Sequence, residues 1–375
     1  MPFDYFAACS LGLEEMLADE LRELEAGSIE LRRGGVAFQG DRALGYRANL
    51  WLRCAIRVQR LLIQGRAPHP DALYRLGSEV DWSRVLRVEQ SLAVDSTVRD
   101  SQITHSQFAS QKLKDAIVDQ FRRRSRGARP NVDRKRPDVP IKLVIQRDVA
   151  SIYLNLSGES LHKRGWRPVQ VKSPLNESIA AGLLRHTGWA RDTPLADPMC
   201  GSATFLIEAA HWALDRAPGL RRRFAFERLP DFDARSWAQL RRDAERRLRG
   251  TLSFDLLGAD RHGGALAIAR QSAERAEVAG LLRLSHCPVA DYRPEVLPDL
   301  IVTNPPYGER IGEGDDLTES WRDLGQFLRR CPGATAWVLS GNPELPKFLG
   351  LKSSRRVPVK NGPLDCRFLR YEIRG

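Results

Sequence analysis

The sequence has neither a zinc-ribbon spacing nor a disulfide framework. Its six cysteines, Cys9, Cys54, Cys200, Cys287, Cys331 and Cys366, are scattered, with no CxxC pair and no Cys/His cluster. That distribution speaks against a structural metal and against an extracellular disulfide scaffold. No apolar run reaches the roughly 18 residues needed to span a bilayer. The N-terminal MPFDYFAACSLGLEE lacks the basic segment of a secretory signal. There is no repeat of fixed period, no low-complexity tail and no strict GxGxxG. The expectation is a soluble protein of the reducing cytoplasm, with no metal and no membrane partner.

What is present points to a polyanion. Lys and Arg total 59 against 47 Asp and Glu, a formal charge of +12, in a chain that is 42% hydrophobic. The apolar content supports a sizeable core, and the cationic surplus favours an anionic partner. At roughly 150 residues per domain, 375 residues imply two or three domains.

Periodicity sketches them. Asp4-Tyr5-Phe6-Ala7 alternates like a strand, and Leu13, Met16, Leu17, Leu21 and Leu24 recur at helical spacing. Val36-Ala37-Phe38 and Leu61-Leu62-Ile63 are further strands, the latter closed by Pro68-His69-Pro70. The first 65 residues form a small α+β unit. Residues 66–157 repeat that pattern on a larger scale, with a strand over Ser91 to Val98, a helix through Ala109, Leu113, Ala116, Ile117 and Phe121, then a basic stretch. A hairpin follows, Ile141 to Ile145 and Ser151 to Leu154, turning at Arg147-Asp148. Residues 158–174 read as a linker. From 175 to 375, short strands alternate with longer helices, which predicts a mostly parallel α/β sheet covered on both faces. Within that part, 217–250 is polar and Arg-rich, like an insertion.

Four strand ends in this last region carry candidate chemistry. Asp197-Pro198-Met199-Cys200-Gly201-Ser202 places an acid and small residues where a strand turns into a helix. Such a turn cradles a ligand, although an ordinary strand-to-helix turn has the same look. Gly258-Ala259-Asp260 ends the next strand, with Arg261 beside it. Asp260 could accept both ribose hydroxyls or simply cap a helix. Asp291-Tyr292 could meet an adenine amino group or be loop. Ile301-Val302-Thr303-Asn304-Pro305-Pro306-Tyr307-Gly308 is the specific one. Two prolines stiffen the turn, so the Asn304 side chain and the following carbonyl are held as a pair of acceptors for one exocyclic NH2. Tyr307 offers a ring for stacking. Cys200 sits away from this turn, which excludes a cysteine nucleophile attacking a base.

The ordered set DPMCGS, GAD, ADY and NPPYGER resembles class I S-adenosylmethionine-dependent methyltransferases that act on exocyclic amino groups of bases. The stretch LSGESLHKRGWR (156–167) resembles the segment joining a THUMP RNA-binding domain to its methyltransferase. FAACSLGLEEMLADEL, RPNVD and the Arg-rich insertion resemble the same family, the large-subunit (23S) ribosomal RNA guanine-N2 methyltransferases, over nearly the whole chain. The resemblance implies an N-terminal ferredoxin-like/THUMP region followed by a Rossmann-like class I domain. It implies S-adenosylmethionine held by Asn176, Asp197 to Ser202, Asp260, Arg261, Asp291, Tyr292 and Asn304. It also implies catalysis at Asn304, Pro305, Pro306 and Tyr307. The partner would be 23S ribosomal RNA or a large-subunit assembly intermediate, contacted by a loop carrying Arg122, Arg123, Arg124, Arg126, Arg129, Arg134, Lys135 and Arg136.

Transfer RNA, adenine N6 and a non-enzymatic role in assembly are the rival readings. Two positions depart from the family: Ala203 stands where many relatives have Gly, which a negative φ would tolerate, and His262 replaces a second acid. With one set of motifs, one activity is expected.

Overall fold

The structure, a computed structural model, describes residues 2–167, 175–308 and 317–374. Residues 168–174 of the expected linker, Pro174 among them, and Glu309-Arg310 of the NPPYGER stretch lie outside the described residues.

The N-terminal half runs β1 (Phe3–Ala8), α1 (Glu14–Glu23), β2 (Gly27–Arg32), β3 (Gly35–Gly40), α2 (Arg42–Trp51) and β4 (Arg57–Arg66). It continues with α3 (Pro70–Glu79), β5 (Ser91–Arg99), α4 (Ser106–Arg124), β6 (Asn131–Val132), β7 (Val139–Gln146) and β8 (Val149–Asn155). Helix α1 buries Leu17, Ala18 and Leu21, the face its spacing marks. Periodicity alone does not mark α2; its signal is Asp41, whose side chain accepts the Leu44 N–H at 2.7 Å. Arg147 and Asp148 both take left-handed φ, 48° and 58°, as a two-residue hairpin turn requires.

These strands form one continuous sheet in the order β2-β3-β1-β4-β8-β7-β5-β6. The join is the antiparallel pairing of β4 with β8, from Gln59 opposite Asn155 to Arg66 opposite Val149. The expected boundary at residues 65–66 therefore falls at the end of the strand that fuses the two units.

One expectation is corrected here. Arg122, Arg123 and Arg124 belong to the last turn of α4, not to a loop. Cations there complement the carbonyl end of the helix dipole, which favours extending the helix through them.

The C-terminal half runs α5 (Glu177–His186), β9 (Leu195–Asp197), α6 (Thr204–Ala213), α7 (Ala234–Arg247), β10 (Leu256–Asp260) and α8 (Gly263–Arg275). Then come β11 (Leu282–His286), β12 (Leu300–Thr303), α9 (Leu317–Arg329), β13 (Thr335–Ser340), β14 (Arg355–Asn361) and β15 (Leu364–Glu372). The sheet order is β11-β10-β9-β12-β13-β15-β14, with β11 to β13 parallel and β15 antiparallel to both neighbours. The chain builds outward from β9 to β11 and then returns to lay β12 on the other side of β9. That reversal opens a crevice at the carboxyl ends of β9 and β12, where open α/β sheets bind ligands.

The Arg-rich segment before β10 is anchored by aromatic residues. Phe226 stacks on Tyr46 of α2 at 4.4 Å and meets Trp237 of α7 edge-on at 5.1 Å. The Tyr46 hydroxyl accepts the Asp233 N–H at 3.1 Å. The segment thus clamps the C-terminal half onto the N-terminal unit. A buried ion pair reinforces the same seam, with Arg164 Nε 3.2 Å from Glu208 and Arg164 Nη2 donating to the Arg53 carbonyl at 2.6 Å.

Candidate active site

Strand β9 delivers Asp197 to the crevice with 2% of its surface exposed. Burial pushes its carboxyl up to about 7, partly offset by the Thr303 hydroxyl and the Met199 N–H. Beyond it the chain turns sharply: the Cys200 N–H donates to the Ala259 carbonyl at 2.9 Å, and the Gly201 N–H to Asp260 Oδ2 at 2.8 Å. The other Asp260 oxygen accepts the His262 N–H at 2.8 Å. One carboxylate at the end of β10 therefore ties two loops together. Burial holds the Cys200 thiol well above its ordinary value, so it is no nucleophile.

Gly201 has φ 54°, and a Cβ there would meet nothing within 4 Å. The glycine faces open space.

Ala203 corrects a second expectation. Its φ is +60° and its ψ 32°, left-handed and not negative. The turn needs that conformation to lead into α6, and alanine bears a steric cost of about 1–2 kcal/mol there. Ala203→Gly removes the cost but adds glycine's unfolded-state entropy, about 0.5–1 kcal/mol. A net gain of about 0.5–1 kcal/mol, read as a higher Tm with cofactor affinity retained, is expected. A lower Tm would contradict the strain.

The crevice is a cavity of about 340 Å³ lined by Asp197 to Ser202, Asp260, Arg261, Asn304 and Pro306. Leu175, His262, Pro288 and Val289 also line it. His262 has no acid's claim on the ribose, yet its place after Asp260 puts it on the wall.

Three expected cofactor contacts, Asn176, Asp291 and Tyr292, and two expected catalytic residues, Pro305 and Tyr307, are not on that wall. Asn176 spends its side chain capping α5, accepting from the Ser178 and Ile179 N–H groups. Asp291 is exposed and not on the cavity wall. Tyr292 is buried and stacks on Phe327 at 5.5 Å, a core position.

One contributor is not among the expected site residues. Arg167, the last described residue before 168–174, donates to Ser202 Oγ at 3.0 Å, Thr204 Oγ1 at 3.1 Å and Glu177 at 3.0 Å. It braces the turn and the start of α6 from outside. The Trp-Arg end of the LSGESLHKRGWR stretch is its only sequence signal.

At the end of β12, Asn304 lines the cavity, and its Oδ1 is buried with no hydrogen-bond partner among the described residues. Trp321 Nε1 donates to the Pro306 carbonyl at 2.8 Å and fixes the far side of the turn. Pro305 is buried beneath it. The Tyr307 ring lies against Gly341, where a Cβ would come within 2.7 Å of Cε2. Its hydroxyl accepts from Asn361 Nδ2 at 3.2 Å, so the ring is tethered to the tip of the β14–β15 hairpin.

The expected RNA contacts are distributed differently. Arg122, Arg123, Arg124, Arg126, Arg129, Arg134, Lys135 and Arg136, expected in the THUMP region, do not line the crevice. Arg122 pairs with Asp119, and Arg124 with Asp81. Of the eight, Arg134 also lines a large basic groove on the N-terminal sheet.

A mostly parallel sheet of this order defines a class I methyltransferase domain, given the acid-ended β9, its small-residue turn and an Asn-Pro-Pro-Tyr turn across the switch point. Comparison carries the assignment over the chain. Residues 4–59 match the RlmL ferredoxin-like domain, 69–155 the THUMP domain and 164–370 the RMKL-like methyltransferase domain. The chain belongs to the RMKL-like methyltransferase family.

It is similar to the ribosomal RNA large subunit methyltransferase K/L of Syntrophotalea carbinolica, with 41% identity over 99% of this chain and 54% of that protein. The chain thus spans about half the length of that relative. Among solved structures, the candidate methyltransferase SMU.472 complexed with SAH superposes with TM-score 0.91 at 25% identity, covering 100% of this chain and 99% of that one. A Listeria monocytogenes protein described as a predicted N6-adenine-specific DNA methylase gives 0.90 at 28%, covering 100% and 97%.

Proposed function

We propose that this chain transfers a methyl group from S-adenosylmethionine to the exocyclic N2 of a guanine in large-subunit ribosomal RNA. The observation that carries the reading is Asn304, which lines the Asp197–Asp260 cavity and whose Oδ1 is a buried acceptor without a partner among the described residues. An unpaired buried acceptor costs about 1–3 kcal/mol, so its presence argues for a donor that arrives with the substrate.

The cavity fits the cofactor. Open space over Gly201 leaves room for it, and the start of α6 has no side-chain cap, which suits a carboxylate. Asp260 retains acceptor capacity for ribose hydroxyls beyond the two N–H groups it holds. S-adenosylmethionine supplies an electrophilic methyl on a sulfonium. Asn304 Oδ1 and the Pro305 carbonyl accept the two amine hydrogens and orient the nitrogen lone pair. Tyr307 stacks on the base. Rate comes from alignment, with no covalent enzyme intermediate.

The basic N-terminal half, including the Arg122–Arg136 region, holds the RNA. The test is incubation of the full chain with the cofactor and unmethylated ribosomal or transfer RNA, followed by digestion to nucleosides. N2-methylguanosine in ribosomal RNA is expected. The same product only in transfer RNA, or N6-methyladenosine in either, would replace the reading.

Asp260→Ala should weaken cofactor binding by about 1–3 kcal/mol, roughly 5- to 150-fold in Kd. It removes the ribose acceptors and unties the Gly201 turn together. An unchanged Kd by calorimetry would contradict this role.

A further inference from the structure

Strand β15 turns two different faces to the molecule. Cys366 and Phe368 are buried on one, with Cys366 Sγ 3.9 Å from the Tyr307 hydroxyl. Asp365, Arg367, Leu369 and Tyr371 alternate with them and share the other face. That face and the chain from Ser340 to Ser353 enclose a cavity of about 680 Å³. Its size falls within the roughly 300–1,000 Å³ of small-molecule pockets. No residue lines both this cavity and the cofactor crevice. The two are nevertheless neighbours. Strand β13 runs parallel to β12, so its carboxyl end, where Ser340 and Gly341 open the cavity, lies on the same edge of the sheet as Asn304. Gly341 is the partition: it lines the cavity, and a Cβ on it would come within 2.7 Å of Tyr307 Cε2.

The rim is cationic and the floor apolar. Lys347, Lys352, Arg356 and Arg367 line the cavity against a single acid among the described residues, Asp365. Asp365 pairs with Lys360 at 3.7 Å, and Lys347 with Glu344. Arg356 commits its Nε to Ser353 Oγ at 3.1 Å. The side chains of Lys352 and Arg367 have no partner among the described residues. Beneath them lie Leu369 and Tyr371, 5% and 2% exposed, and Leu351 adds apolar surface. The Tyr371 hydroxyl has no hydrogen-bond partner among the described residues. Burial pushes it up to about 12, so it stays protonated and free to donate to an acceptor that a ligand brings.

We propose that this cavity receives one unstacked nucleotide of the RNA next to the target base, its phosphate on Arg356 and Arg367 and its base over Leu369 and Tyr371. Enzymes that act on a base take it out of the stack, and contacts to flanking nucleotides then set their sequence preference. A single nucleotide joins an anion to an apolar base, which matches rim and floor together. A bare anion would use the rim alone, and a duplex keeps its bases stacked internally. The β14–β15 hairpin serves both places: its tip holds the Tyr307 hydroxyl through Asn361, and its outer face walls the cavity. A nucleotide seated there would fix the register of the base beside Tyr307. The proposal rests on the RNA methyltransferase reading above and names the part of the catalytic domain that selects the sequence around the target.

The test uses the full chain saturated with S-adenosylhomocysteine. Ribosomal RNA binding is measured over a range of salt, and saturation-transfer NMR follows the nucleoside monophosphates and ribose 5-phosphate. Arg356→Gln/Arg367→Gln should weaken RNA binding about tenfold and flatten log K against log salt by about 1.4, at about 0.7 per lost contact. In methyl-transfer assays its KM for RNA should rise in parallel, with kcat and cofactor affinity retained. The nucleoside monophosphates should bind weakly, compete with RNA and lose their binding in the double variant. Ribose 5-phosphate, which has no base, should bind less well than any of them. Tyr371→Phe keeps the ring and should alter the preference among the bases without moving the salt slope. Wild-type RNA affinity and slope in the double variant overturn the proposal. Equal binding of ribose 5-phosphate also overturns it, leaving an anion site only. Nucleotide binding lost in the double variant while RNA affinity stays unchanged makes the occupant a free ligand, and likewise overturns it. The binding measurements involve no turnover, so their failure is distinguishable from a failure of guanine methylation.

Discussion

Asn304→Ala is expected to fold and to bind S-adenosylmethionine normally while losing most of its methyl transfer. The prolines still set the turn, and Trp321 still holds the Pro306 carbonyl. What disappears is one preorganised acceptor, buried and otherwise unpartnered among the described residues. Removing a comparable transition-state contact costs about 2.7–4 kcal/mol, or roughly a hundred- to a thousand-fold in rate. On the proposed reading Asn304 accepts from the amine only when the base is docked, so the loss should fall on the single-turnover rate and not on cofactor affinity.

Tyr307 is a useful contrast. Were the ring alone important, Tyr307→Phe would be silent, but the hydroxyl is tethered by Asn361. A modest weakening of RNA docking is expected in Tyr307→Phe and a larger one in Tyr307→Ala. Single-turnover assays on ribosomal RNA, with cofactor binding measured separately, distinguish these outcomes. A near-normal rate in Asn304→Ala would remove the amine-orienting mechanism altogether.

The convergence of Asp197, Asp260 and Asn304 on one cavity is legible in the sequence because each signal is local. Asp197, Asp260 and Asn304 each end an apolar run, and a parallel sheet brings successive strand ends to one edge. The residues that brace the site are not legible. Arg167 reaches Ser202 across 35 positions, and nothing in its neighbourhood announces the partner. Asp291 and Tyr292 have a strand-end pattern too, but tertiary packing turns the tyrosine into the core and leaves the acid outside.

Ala203 carries no signal of positive φ, since alanine usually avoids it. The fusion of β4 to β8 escapes a linear reading as well, because strand partners some ninety residues apart are chosen by registry and shape. For the same reason the basic stretch reads as a loop, when its first arginines complete a helix and the larger cationic groove is assembled from six separate strands.

The seam between the two halves yields the largest stability effect. Arg164 and Glu208 are almost wholly buried, at 3% and 1% side-chain exposure. Arg53 lies in the same pocket, donating to the Arg216 and His211 carbonyls, and burial lowers its guanidinium to about 10. Glu208 is the acid that offsets this burial most for Arg53, while the neighbouring Arg164 opposes it.

Glu208→Ala therefore strands two desolvated cations and opens a void. Breaking a buried pair from one side costs about 3–5 kcal/mol. The expected result is a large drop in the thermal unfolding midpoint, with the N-terminal unit and the methyltransferase domain separating into distinct transitions. Glu208→Gln keeps the shape and one acceptor but loses the charge, and should fall between. Arg164→Met removes a cation and should destabilise less than Glu208→Ala, although it gives up the bond to the Arg53 carbonyl. If Glu208→Gln unfolds at the wild-type temperature, the carboxylate's charge does not hold the seam, and the clamp is the aromatic stack of Tyr46, Phe226 and Trp237 with the Arg53 and Arg164 bonds to carbonyls.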